Sequence, residues 1–175
     1  MKFVFLILIF CGLFISCEEE HKPEDIQAPD WTTEKSTELN KRFAQEEEIG
    51  IRLYLKQRPQ WKMTETGSGL RYWIYEDYEG PVAELDDFVD VAFEVRLLDD
   101  SLVYESGRNE VSTFKVDKSD VETGVQEGIK YLSEGDKAKF IIPSHLAHGL
   151  LGDQHKIPPL QVLVVDIELK KIKKQ

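Results

Sequence analysis

Ile141-Ile142-Pro143-Ser144-His145-Leu146-Ala147-His148-Gly149, then Lys156-Ile157-Pro158-Pro159, then Val162-Leu163-Val164-Val165-Asp166-Ile167-Glu168-Leu169: these three runs, read together, decide the fold. They spell strand, structured loop, strand. In the last run Val165, Ile167 and Leu169 alternate with Asp166, Glu168 and Lys170, the period of two expected of a strand with one buried and one wet face. That strand should lie antiparallel to its neighbours. Pro158 and Pro159 have no amide hydrogen to donate and bar helix, so the chain runs into the strand stiff and extended. The loop between the strands is thereby held open.

Working outward, residues 136–142 alternate Ala138, Phe140 and Ile142 as a further strand. Residues 122–132 predict one short helix, with Val125, Ile129 and Leu132 on one face and Ser133-Glu134-Gly135 stopping it. Residues 88–98 form a strong strand carrying Val89, Val91, Phe93 and Val95 on one side. Asp99-Asp100-Ser101 turns it into a strand at 102–106, residues 113–116 are short and β-like, and 70–75 is the first strand. The sum is four or five main strands and one central helix. That is an α+β domain in which a twisted antiparallel sheet wraps the helix. Lys170, Lys171, Lys173 and Lys174 read as a solvated end that blunts a strand edge.

The N-terminal third is organised differently. Lys2 precedes an apolar run at residues 3–15, too short to span a bilayer comfortably, which ends at Ser16-Cys17; this is the form of a cleaved export signal covering residues 1–16. Leu13-Phe14-Ile15-Ser16-Cys17 resembles a relaxed bacterial lipobox, which would make Cys17 the lipidated first residue of the mature chain; an ordinary signal with Cys17 a bystander is the alternative. Cys11 lies in the discarded part, so the mature chain can form no internal disulfide. Residues 17–33 are acidic, polar and proline-bearing, a disordered tether with little to bury. Residues 34–67 are a helical accessory segment and linker. Leu39 and Phe43, then Ile49 and Leu53, stand four apart, Gly50 weakens the middle by about 1 kcal/mol relative to alanine, and Pro59 ends the helix. It is expected to pack on the main domain. A net charge of −11 argues against nucleic acid, which needs a basic face, so membrane attachment would rest on lipid.

The ordered set Gly124-Val125-Gln126-Glu127-Gly128, Ser133-Glu134-Gly135-Asp136-Lys137-Ala138, Pro143-Ser144-His145-Leu146-Ala147-His148-Gly149 and Ile157-Pro158-Pro159 resembles the C-terminal half of FKBP-type peptidyl-prolyl isomerases. The run from Met63 to Tyr72 resembles the start of many bacterial FKBP domains, and the likeness covers residues 68–173. It implies a catalytic set of Tyr104, Glu105, Phe114 and His148, and a substrate-binding set of Val121, Glu122, Val125, Ile157 and Val165. Glu105 stands for the family's usual aspartate, His148 for a loop tyrosine and Glu94 for a strand tyrosine. Val125 and Val165 replace a tryptophan and a phenylalanine.

The implied chemistry cuts no bond. Rotation about an X-Pro amide faces a barrier of about 18–20 kcal/mol because it breaks resonance, and uncatalysed exchange takes tens to hundreds of seconds. A catalyst needs a dry pocket that holds proline and favours the twisted amide. No cofactor is implied. His145, His148 and His155 come without a supporting cysteine, so no metal is expected, and Ser144 lacks a nucleophile elbow.

Two function classes follow from the resemblance. One is a lipid-anchored isomerase and folding helper for proline-containing exported or envelope proteins, of reduced activity because the pocket loses aromatic area. The other is a non-catalytic FKBP-like module holding a partner in an envelope or motility assembly. The lipobox, acidic start and loop histidine are similar to the FKBP-type lipoproteins associated with gliding motility, and the implied place is the bacterial cell envelope. A homodimer through the N-terminal helix is the less favoured arrangement.

Overall fold

The computed structural model describes residues 32–107 and 110–174; the expected signal peptide, Cys17 and nearly all of the tether lie outside the described residues. The sheet has seven strands: β1 (Thr64–Glu65), β2 (Arg71–Glu76), β3 (Phe88–Leu97), β4 (Leu102–Glu105), β5 (Ser112–Lys115), β6 (Lys137–Ile142) and β7 (Leu163–Lys173). Their order is β1-β2-β6-β7-β3-β4, with β5 also beside β3, and each pairing is antiparallel. The α+β class expected from the alternation is the class found. The count exceeds four or five because β1 and β5 have two and four residues. Strands that short carry no period of their own and are defined by their partners.

Alternation sorts the long strands onto two faces. Ala138, Phe140 and Ile142 of β6, with Leu163, Val165, Ile167 and Leu169 of β7, join the main core, whereas Ile141 and Val164 belong to a second cluster. Against the main core lie Val125 of helix α2 (Thr123–Gly128), Ile129 of the 3-10 turn that follows (Ile129–Tyr131), and Leu132. The helix expected over 122–132 therefore keeps its apolar face but tightens over its last turn.

The lysines at the C-terminal end are exposed, as expected of a solvated end, and lie beyond the part of β7 that is paired on both sides. β7 pairs with β6 only as far as Glu168 but with β3 as far as Lys173, so Lys171 and Lys173 stand opposite Asp90 and Phe88 with no strand on their other side among the described residues. Lys173 reaches Asp90 at 2.8 Å and Lys174 reaches Asp87 at 2.9 Å. Two buried carboxylates on the neighbouring chain segment, invisible to local charge counting, thus pair with Lys173 and Lys174, whose side chains stay exposed.

Helix α1 (Thr33–Lys56) covers the second face. Its docking residues are Ile51 and Tyr54, which meet Ile141, Val162 and Val164, with Leu55, Trp61, Met63 and Leu98 around them. Burying Ile51 contributes about 1.5–3 kcal/mol. Ile49 and Leu53, expected in the apolar stripe, are 59% and 57% exposed. The face that docks is Glu47, Ile51 and Tyr54, spaced as successive turns of a helix, with Arg58 just past the helix end beside it. Tyr54 and Arg58 both donate to Asp100 in the β3–β4 turn, at 2.9 and 2.6 Å. Arg71 of β2 donates to Glu48 at 2.7 Å.

Candidate active site

Between β3, β4, β5 and the start of α2, a cavity of about 330 Å³ opens from the inner face of the sheet, at the small end of the roughly 300–1,000 Å³ typical of ligand pockets. Tyr104, Phe114 and Phe93 supply aromatic walls, and Val91, Val95, Val125, Val165 and Ile167 supply aliphatic ones. Val121, Glu122 and Glu105 also line it. Strand periodicity explains the set: Val91, Phe93 and Val95 share one side of β3, and Val165 and Ile167 one side of β7.

Seven of the nine residues singled out in the pocket by sequence thus line one cavity. His148 and Ile157 do not. Ile157 is buried in the main core at 3% exposure. His148 turns to the rim, where its Nε2 lies 3.0 Å from Glu122 Oε1; the geometry is not that of a hydrogen bond, and this buried nitrogen has no other partner among the described residues. Glu94, expected where a strand tyrosine is usual, is displaced by one position. Phe93 faces the cavity, and Glu94 points to the opposite side of the strand and pairs with Arg96 at 2.5 Å. The aromatic wall expected to be missing from this strand is therefore present as Phe93.

Asp153 was not legible in the sequence. Its carboxylate accepts the hydroxyl of Tyr104 and the backbone N–H groups of His155 and Ile157, the last two at 2.9 and 2.7 Å. Desolvation would raise its pKa, but these three donors and the nearby His148 outweigh it and hold the carboxyl well below the usual carboxylate range. The same bond raises the Tyr104 hydroxyl above its ordinary value. Lys156 completes the clamp: its Nζ stands 4.9 Å from the Tyr104 ring centroid and donates to the Val103 carbonyl at 3.0 Å. Gly152, at φ +64, must be glycine, because a Cβ there would sit 2.2 Å from the Ile157 carbonyl oxygen. The only local signal was an Asp able to bond backbone amides two and four residues on, a common loop device.

The site is thus an apolar chamber with a fixed tyrosine, rimmed by carboxylates. Among the described residues no group of three or more His, Cys, Asp or Glu side chains could hold a metal ion. His145 instead meets the Ser68 carbonyl at 3.0 Å.

A seven-stranded antiparallel sheet with a short helix over such a chamber defines an FKBP-type fold, and this chain belongs to the FKBP-type peptidyl-prolyl cis-trans isomerase family, whose sequence profile matches residues 80–170. Among its relatives, a probable FKBP-type peptidyl-prolyl cis-trans isomerase FkpA of Neisseria meningitidis is 40% identical over 107 residues, 61% of this chain and 39% of that protein. FkpA of Escherichia coli K12 is 35% identical over 109 residues, again 39% of its length, so the chain spans about two fifths of these curated relatives. The crystal structure of Escherichia coli FkpA superposes with a TM-score of 0.65 at 31% identity, covering 79% of this chain and 64% of that one. A peptidyl-prolyl isomerase structure from Pseudomonas syringae, 22% identical with a TM-score of 0.61 and covering 84% of this chain and all of that one, shares the fold.

Proposed function

We propose that this chain is a peptidyl-prolyl cis-trans isomerase acting on proline-containing exported or envelope proteins. The observation that carries the proposal is the cavity walled by Phe93, Tyr104 and Phe114 in a chain of this family. A proline ring seated there leaves water, while the amide before it stays at the mouth. Twisting that amide costs resonance, about 18–20 kcal/mol in all, and a dry, preorganised surround that fits the twisted form better than either planar form lowers the barrier. Tyr104 is held rigid by Asp153 and Lys156, so it does not have to be ordered when substrate arrives.

The pocket's valines, Val125 and Val165, give less aromatic area than the family pattern, and Glu105 and Glu122 place negative charge at its edge; both support a reduced rate. The lipid on Cys17, a place in the bacterial envelope and a part in gliding motility complete the proposal and rest on the sequence resemblance. A non-catalytic binding module is the competing reading, favoured by the same thinned walls. A coupled isomerisation assay on Xaa-Pro peptides separates them. The expected result is a measurable rate that Phe114→Ala lowers at least tenfold, an effect worth about 1.4 kcal/mol in the barrier. A rate equal to background, in protein that still captures a partner, would establish the binding module instead.

A further inference from the structure

We propose that Glu47, on the accessory helix α1, is a positioning residue for the isomerase site. The proposal rests on the isomerase reading above and deepens it.

Ser144 is 4% exposed and opens the 3-10 turn Ser144–Leu146 that leads out of β6. Both of its donors go to one carboxylate: its N–H reaches Glu47 Oε2 at 2.9 Å, and its hydroxyl donates to Glu47 Oε1. Its carbonyl in turn accepts the N–H groups of Ala147 and Gly149, at 3.0 and 2.8 Å. His148 is bracketed between those two amides. The Gly149 carbonyl then accepts the Leu160 N–H at 2.9 Å, which closes the loop just short of β7. From His148 one contact remains to the cavity, the 3.0 Å approach to Glu122, which lines it.

Glu47 on α1 therefore holds, through Ser144, the loop backbone that carries His148 to the pocket rim, where the imidazole stands beside Glu122 without hydrogen-bond geometry. Glu47 lies outside the family-matched residues 80–170. Ile51 and Tyr54, one and two turns further along α1, are buried against the sheet, so Glu47 is presented from a fixed support. Without the carboxylate, a buried amide and a buried hydroxyl lose their partner together. The loop must then shift to satisfy them, carrying His148 with it. The accessory helix thus acts on the pocket without touching substrate.

The test uses the full chain with Glu47→Ala, Glu47→Gln and wild type, followed by Xaa-Pro isomerisation and by the NMR resonances of the His148 ring and the Ser144 amide. In Glu47→Ala the expected result is a fall of roughly tenfold in kcat/KM, as a small misplacement near a site produces, together with displaced His148 ring resonances and faster Ser144 amide exchange. Glu47→Gln keeps an oxygen to accept from Ser144 and should return the rate to within about threefold of wild type. If folded Glu47→Ala turns over at the wild-type rate with unmoved His148 resonances, the positioning role is overturned, and Glu47 serves only to hold the helix. If wild type itself shows no rate above background, the isomerase reading fails. The link from Glu47 to His148 then stands or falls on the ring resonances alone. Should Glu47→Ala not fold, the same readouts in Ser144→Ala, which removes one of the two donors, decide the question.

Discussion

Gly128→Ala offers a case in which two known effects oppose each other and the structure says which prevails. Gly128 closes α2, and an alanine there would gain as much as about 1 kcal/mol of helix propensity. Yet a Cβ built at Gly128 falls 2.6 Å from Phe140 Cε2 and 2.7 Å from Cζ, where carbon atoms pack best at about 3.5–4.0 Å. Roughly 1 Å must be found. Phe140 cannot easily supply it: the ring is fully buried, and its strand is paired on both sides, opposite Tyr72 and Val165. Overpacking costs about 1–3 kcal/mol, and against a fixed, buried ring the upper part of that range, about 2–3 kcal/mol, applies, so after the propensity gain the net loss should be about 1–2 kcal/mol. For a domain of this size that is a fall in Tm of about 2–8 °C. Urea titration followed by far-ultraviolet circular dichroism would read it as a lower midpoint at unchanged slope. Gly67→Ala is the control, since its Cβ would meet nothing within 4 Å. A Gly128→Ala protein as stable as wild type, or a Gly67→Ala protein destabilised equally, would refute the steric account.

Two further outcomes are expected. Lys174, opposed by some desolvation and helped by the Glu84 amide, holds the Asp87 carboxyl below its ordinary pKa, and Lys173 with Thr113 does the same for Asp90. The folded state then binds these protons less readily than the unfolded state, so the stabilisation is full above the ordinary carboxylate range of about 4 and is lost as pH falls through the lowered values. Denaturation midpoints at pH 6 and pH 3 should show the drop, and Asp87→Asn should shrink it; an equal drop in that variant would exclude Asp87 as a source. Cys17→Ala should leave the protein folded but release it from the membrane fraction, and unchanged retention would remove the lipid anchor from the proposal.

The local rules of the chain sufficed where one segment carried its own signal. Alternation in residues 136–142 and 162–169 fixed which side chains face the core, whereas the stiff, extended approach expected of the prolines at 158 and 159 is broken by a turn at 159–160, with Leu160 at φ +58, that is set by the folded loop. The glycines of Gly124-Val125-Gln126-Glu127-Gly128 were legible as a pattern, while their reason, close approach of α2 to Ile142 and Phe140, belongs to the packing. What only the tertiary structure decided are pairings between distant segments. Glu47 looks like a solvated helix residue until Ser144 is placed 97 positions away, and Asp153 looks like a loop residue until Tyr104 meets it. Phe93, one position from where the pattern set an aromatic wall, was assigned to the pocket by the register of β3. A charged side chain carries no periodic hydrophobic signal, and the partner that gives it a role is chosen by the fold, not by its neighbours in sequence.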